Sequence, residues 1–322
     1  MHDRKSFITA LCRMAALMAL AACLLTSCAS GPSTESTLPR APSIAPTTPT
    51  DPPKKEEKGG DDKKNTEPSE PEKPEEDKKG EQEPASPEPE PAFEVKNGVL
   101  TIRNGDAIKG EIQLPEGNYS IPDRFFSGND KITSVSIPSG VAEIGKAAFY
   151  NCTALERVVL PPTLKLLNAG AFSGCKKLTE VVFIQSNAAS TQQITMEAGV
   201  FYGCSALRSI VLPEGLVTLP QMTFAGCTNL QNVTLPKTLV EIEEIAFSNT
   251  EAPCKSLEQI ELPKNLQKIG AHAFQNAGLT SIEIPECVTT IGESAFRGNH
   301  KLNKIDFQES QSERTLGAYA FA

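Results

Sequence analysis

The stretch LERVVLPPTLKLLNAGAFSGCKKL, residues 155–178, decides how this chain folds. Leu155, Val158 and Leu160 alternate with Arg157 and Val159, the period-2 pattern of a strand with one buried side. Pro161 ends that run, because proline has no N–H to give to a ladder. A second short extended piece follows, and Ala171-Phe172-Ser173-Gly174-Cys175 reads as one turn of helix or 3-10 helix broken by glycine. A unit this small cannot bury its own apolar face. A stack of such units buries a continuous one.

The unit recurs. Phe126, Phe149, Phe172, Phe201, Phe224, Phe247, Phe274, Phe296 and Phe321 are separated by 23, 23, 29, 23, 23, 27, 22 and 25 residues. Pro115, Pro138, Pro161, Pro213, Pro236, Pro263 and Pro285 each precede one of them by 11 residues. The departures are local: QSNAASTQQIT (185–195), SNTEAP (248–253) and QESQSER (308–314) carry the extra residues, after which the register resumes. Stacked coils tolerate insertions of that kind. The fold expected is a repeat solenoid, with a parallel β-sheet on one face and short strands plus single-turn helix or 3-10 segments on the other. Every coil is expected to supply a strand, including the one anchored by Leu257, Ile260 and Leu262. Ahead of the first coil, Asn97-Gly98 between two alternating runs (93–102) marks a hairpin cap.

The frame P-x-x-[LV]-x-x-[IL]-x-x-x-A-F-x-x-C-x-x-L resembles the BspA-like (treponemal) class of leucine-rich repeat proteins. The resemblance runs from about Gly110 to Ala322. It implies a leucine-rich repeat scaffold that binds proteins at a surface, with adhesion to host matrix proteins or other cells as the expected role. A scaffold of this kind does not by itself fix a function.

Cysteine recurs in the frame at Cys152, Cys175, Cys204, Cys227 and Cys254, while equivalent positions hold Asn129, Ala277 and Asn299. A metal or catalytic site would not accept alanine in that role. The resemblance implies the Asn/Cys position of leucine-rich repeats, a structural ladder in which a small side chain packs inward and bonds the turn backbone. Disulfides between adjacent rungs are the alternative. Cys287, in PECVTT, lies outside the ladder and is the thiol expected to be most exposed.

The N-terminus has another logic. Arg4, Lys5 and Arg13 precede an apolar stretch of 12 residues, Met14 to Leu25. That is too short to span a bilayer, which takes about 20 residues, and it fits a signal-peptide core. Leu25-Thr26-Ser27-Cys28 then resembles the bacterial lipobox. The resemblance implies cleavage after Ser27 and lipidation of Cys28, with palmitate among the acyl chains; several chains anchor stably where one does not. Residues 1–27 are thus expected to be a lipoprotein signal peptide. Residues 28–92 are expected to be a disordered Pro/Glu/Lys-rich tether anchored at Cys28, and residues 93–322 the leucine-rich repeat domain. The location expected is the bacterial envelope, at the outer membrane and cell surface; a periplasmic scaffold is the alternative.

The chain carries a net charge of −9. Asp51–Pro91 holds 15 acids and 8 bases (−7), and the part from Ala92 on holds 23 acids and 19 bases (−4). That balance offers no electrostatic footprint for nucleic acid. His2, His272 and His300 are the only histidines, and no G-x-S-x-G, P-loop, H-E-x-x-H or C-x-x-C occurs. No enzyme activity, cofactor or metal is expected. His272 is expected at a variable surface position.

A site is therefore sought on the strand face, where residues between the buried anchors point outward. The candidate binding face consists of Arg157, Val159, Glu180, Val182, Val211, Thr234, Glu261, Glu283, Lys304 and Asp306. It is apolar in its first half and acidic in its second. Three acids on successive rungs repel one another, so Lys304, an ion or a basic partner is expected to offset them.

Overall fold

The computed structural model describes residues 91–185, 193–249 and 251–322. Residues 1–90 lie outside it, and with them the expected signal peptide, Cys28 and nearly all of the expected tether.

The described chain is a parallel β-solenoid, and its strands fall into two sets. Strand β1 (Phe93–Lys96) pairs antiparallel with β2 (Val99–Ile102), turning at Asn97 and Gly98, both of positive φ. Beyond β2 the sheet is parallel and its strands are two residues long: β4 (Ser120–Ile121), β6 (Glu143–Ile144), β8 (Leu166–Leu167) and β10 (Thr195–Met196). The same edge of the solenoid continues as β12 (Thr218–Leu219), β14 (Glu241–Ile242), β15 (Lys268–Ile269), β17 (Thr290–Ile291) and β19 (Thr315–Leu316).

The longer strands, interleaved with these along the chain, make the second set. β3 (Gly110–Gln113), β5 (Ile132–Ser136), β7 (Arg157–Leu160) and β9 (Glu180–Phe183) form one parallel sheet. β11 (Ser209–Val211) pairs with β13 (Asn232–Thr234), and β16 (Ser281–Ile284) with β18 (Lys304–Phe307). The expected uninterrupted sheet is thus three sheets. The breaks fall where the coils carry extra residues. Between β9 and β11 the sequence carries the extra residues of 185–195, and the following coil meets its neighbour through one bridge, Ile194 to Leu216. After the 248–253 excursion, Leu257–Leu262 forms no strand, although Leu257, Ile260 and Leu262 are all buried. Burial of the anchors tolerates a small shift that ladder geometry does not.

The turns after the second strands are not helical. Among the described residues the only helical segment is the 3-10 turn Gly105–Ala107. The expectation of a single helical turn at A-F-x-x-C fails for a local reason. The residue two before each repeat phenylalanine is left-handed, from Arg124 (φ 57°) and Ala147 (φ 54°) to Ile245 (φ 59°) and His272 (φ 56°). That kink aims the following amides along the solenoid axis. Phe126 N donates to Ala148 O at 2.8 Å, Phe149 N to Ala171 O at 2.7 Å and Phe274 N to Ala295 O at 2.8 Å. Every second amide of the turn is spent in this way on the next coil, while those between close short turns on themselves, as in Tyr150 N to Ala147 O at 3.0 Å and Cys152 N to Phe149 O at 3.2 Å.

The core is one cluster running the length of the described chain. Its axis is a stack of the nine repeat phenylalanines from Phe126 to Phe321, ring centroids 4.8 to 5.8 Å apart and planes within 23° of parallel. The widest spacings, 5.8 Å, flank Phe201, the coil with the long excursion. On the final described coil the inward positions are uncovered: Ile305 is 37% exposed, Phe307 43% and Leu316 52%.

Candidate functional site

Strand pairing puts the candidate face in register within each of the three sheets, Glu261 excepted. Arg157 lies opposite Glu180, and Val159 opposite Val182. Arg157 Nε donates to Glu180 Oε2 at 2.8 Å, with both side chains about half exposed; a bridge so placed adds on the order of 0–1 kcal/mol. Val159 and Val182 are half-buried and Val211 is 56% exposed. Thr234 sits in register with Val211. On the third sheet Glu283 lies opposite Asp306, and Ser281 opposite Lys304. Glu261 stands on the run that forms no strand, so no ladder bond ties it to its neighbours' register.

Two of the three acids, Glu283 and Asp306, meet partners within the chain. Lys304 Nζ sits 2.7 Å from Asp306 Oδ2. Its ammonium is held charged above the usual lysine range, first by the hydrogen bond to Asp306, then by the charges of Asp306 and Glu283. Gln308 Nε2 donates to Glu283. Sequence reasoning missed Gln308, which lies one residue past the strand and outside the alternating pattern. It also missed Ile184, 47% exposed just past β9, whose amide donates to Leu160 O on the preceding coil at 2.9 Å. Ile184 extends the apolar half of the face beside Val182 and Val211.

The cysteine positions form a second structure, inside the wall. Cys152, Cys175, Cys204, Cys227 and Cys254 are each 0% exposed. Each Sγ reaches the carbonyl of the phenylalanine on the preceding coil: Cys152 to Phe126 at 3.1 Å, Cys175 to Phe149 at 3.1 Å, Cys204 to Phe172, Cys227 to Phe201 and Cys254 to Phe224 at 3.2 Å. Asn299 makes the same contact, its Nδ2 donating to Phe274 O at 2.8 Å and to Phe296 O at 2.8 Å. Asn129 donates to Ile108 O at 3.4 Å and accepts from the amides of Lys131 and Ile132. Ala277 leaves its rung without a donor. Burial pushes the thiols of Cys152 and Cys254 up to about 12, and those of Cys175, Cys204 and Cys227 well above their usual value. Thiolate is the reactive form, so these five are inert while the fold is intact. At pH 8 a maleimide or a disulfide reagent is expected to leave them unlabelled until denaturant is added, and to react first with half-buried Cys287. Fast labelling of four or more thiols in the native protein would overturn the ladder.

His272 is not the surface residue expected. It is half-buried at a left-handed position, and its Nδ1 is buried without a hydrogen-bond partner. The equivalent positions on two other coils are Gly170 (φ 63°) and Gly199 (φ 66°). His272→Gly removes both the backbone strain and the unpaired ring nitrogen, and is expected to raise stability by about 0.5–1 kcal/mol, read as a higher urea midpoint. His300 is exposed on the turn before Leu302. Among the described residues no group of three or more His, Cys, Asp or Glu side chains is arranged to hold a metal ion.

Comparison with known proteins bears on the fold. The family profile described as BspA type leucine rich repeat region matches residues 108–194 and 194–321, in six copies. No curated protein matches the chain. Among solved structures, a leucine rich cell surface protein from Faecalibacterium prausnitzii is 26% identical over 67% of this chain and 74% of its own, with a TM-score of 0.47. A leucine-rich repeat protein from Eubacterium ventriosum is 25% identical over 57% of this chain and 50% of its own, with a TM-score of 0.46. The leucine rich repeat protein of T. pallidum is 21% identical over 70% of this chain and 82% of its own, with a TM-score of 0.37.

Proposed function

We propose that this chain, which belongs to the BspA-type leucine-rich repeat family, binds other proteins through its strand face while a lipid on Cys28 holds it at a bacterial cell surface. The observation that carries the reading is the face itself. On each of its three sheets the side chains stand in register on parallel strands, half-buried or exposed, with valine toward one end and carboxylate with lysine toward the other. Leucine-rich repeat solenoids serve chiefly as binding scaffolds rather than as enzymes. Adhesion to host matrix proteins or other cells is the role this arrangement suits. The Pro/Glu/Lys-rich residues 28–92 then act as a tether; Pro-rich chain extends by about 3 Å per residue, so such a segment holds the solenoid well clear of the membrane.

The tests are separable. Labelled palmitate is expected to enter the chain and to be lost in Cys28→Ser. Protease added to intact cells is expected to remove the solenoid; survival would favour a periplasmic scaffold. Immobilised matrix proteins and envelope extracts are expected to yield a ligand whose binding falls at least about tenfold in Val182→Glu/Val211→Glu or in the triple serine variant of Glu261, Glu283 and Asp306. Unchanged binding in both variants would remove the strand face from the account.

A further inference from the structure

A second interaction surface lies at the start of the solenoid. Strand β3 is the first strand of its sheet and pairs with β5 alone. The β1–β2 hairpin does not cover it, because β2 continues into the other sheet through Val99 and Ser120. Gly110 N donates to Lys131 O at 2.8 Å, so Gly110 turns its backbone toward β5. By the alternation of a strand Ile112 does the same, and the N–H and C=O groups of Glu111 and Gln113 point away from the sheet. Among the described residues nothing bonds them. Proteins usually blunt such an edge with proline, a covering loop or an inward charge. The sequence GEIQ carries no proline, and its one charge, Glu111, is exposed rather than inward. The bulge between Gly110 and Glu111 shortens the usable edge to Glu111–Gln113.

Beside this edge runs a groove of about 340 Å³, lined by Ala92, Phe93, Ala107, Glu111, Ile112 and Gln113. Its lining mixes alanine with polar groups, Phe93 and Ile112 lie almost wholly beneath it, and Glu111 is its one charged wall. Glu111 has no ion pair among the described residues. Outward backbone donors and acceptors at alternate residues are met by another extended chain and by little else. An unpaired carboxylate at the rim favours a basic residue in that chain.

We propose that the outer edge of β3 takes an extended peptide from a partner protein by strand addition, seating an apolar residue against Ala92 and Ala107 and a lysine or arginine against Glu111. The proposal shares with the function above only the class of partner. It concerns a different surface, and either can fail alone.

The probe is a phage-displayed library of linear dodecapeptides selected on the full chain. The selected peptides are expected to carry an apolar residue near a basic one. Methylating their backbone nitrogens one at a time is expected to weaken binding about tenfold at every second position and to leave the others alone, the signature of a strand edge. Gln113→Pro, which removes an outward N–H, is expected to abolish binding, while Gln113→Ala leaves it intact. Glu111→Gln is expected to weaken only the basic peptides, by a few-fold. The peptide-side scan stands even where Gln113→Pro does not fold. The proposal is overturned if no peptide is selected, or if methylation shows no period of two. It is also overturned if Val182→Glu on the strand face abolishes binding. Slow exchange of the Glu111 and Gln113 amides in the unliganded chain would mean that the protein covers its own edge. A dimer dissolved by Gln113→Pro would mean that a second copy does.

Discussion

Replacing Phe224 by alanine is expected to lower the stability of the solenoid by about 3–5 kcal/mol, the range for deleting a fully buried phenylalanine. The ring is 0% exposed and stacked on both sides, 5.8 Å from Phe201 and 5.3 Å from Phe247. A cavity there cannot collapse, because its walls are two rigid rings and the turn backbones that carry them. For a folded region of this size each kcal/mol moves the midpoint by about 2–4 °C, so the thermal transition falls by roughly 10 °C. The terminal ring provides the comparison. Phe321 is half-buried, with Phe296 on one side at 5.0 Å and the edge of Phe307 at 5.9 Å. Phe321→Ala is expected to cost about 1–2 kcal/mol, since solvent already reaches that end. In a stack where each coil touches only its neighbours, a defect in the middle also uncouples the halves. Phe224→Ala is therefore expected to broaden the calorimetric transition or split it, where Phe321→Ala leaves one. Equal losses in the two variants would mean that the ring stack is not the spine of the core.

The contrast between these two rings also shows what could be read from the sequence. The 22–23-residue spacing of phenylalanine and proline fixes a stacked coil, because no other arrangement buries L-x-x-V-x-L anchors from every repeat on one axis. Alternation placed Arg157, Val159, Glu180 and Val182 on the outer face, since a strand has two sides and the anchors occupy one. Other features depend on contacts that no single repeat contains. The breaks between sheets follow from how the excursions at 185–195 and 248–253 shift a coil against its neighbour. The left-handed turn residues are hidden because Met222, Ile245 and His272 occupy a position that glycine fills in Gly170 and Gly199. An axial hydrogen bond holds them there, as in Ile245 N to Ala271 O at 3.0 Å. Lys304 is one of three offsets the sequence leaves open, and its conformation along its own strand selects Asp306, whereas the reach of Gln308 to Glu283 crosses between coils. The open edge of β3 is likewise a property of what lies next to it.

Asn299→Asp is expected to be the most damaging conservative change in the chain, and its cost is expected to grow with pH. Asn299 is 7% exposed and makes three bonds: Nδ2 to Phe274 O and Phe296 O at 2.8 Å each, and Oδ1 from Leu279 N at 3.0 Å. Aspartate has the same shape but replaces the double donor by an oxygen facing two carbonyls. An uncompensated buried charge costs about 3–5 kcal/mol, so the folded state holds the new carboxyl protonated, and the proton serves one of the two carbonyls. Its folded pKa then lies above the unfolded value of about 4. A raised folded pKa makes stability highest below the unfolded pKa and removes it as pH rises through the folded one, by about 1.4 kcal/mol per unit in between. The gap between variant and native protein in urea is thus expected to be about 1–2 kcal/mol at pH 4 and to widen beyond 3 kcal/mol at pH 7.5. Asn299→Cys separates the charge from the geometry. Cysteine is what five other rungs carry, and its thiol still reaches the preceding phenylalanine carbonyl, as Cys254 reaches Phe224. That variant leaves Leu279 N and one carbonyl unserved, so it is expected to lose about 1–3 kcal/mol with no dependence on pH. A gap for Asn299→Asp that stays constant from pH 4 to 7.5 would mean that the side chain does not face the two carbonyls. The ladder would then not be the device that ties each turn to the one before it.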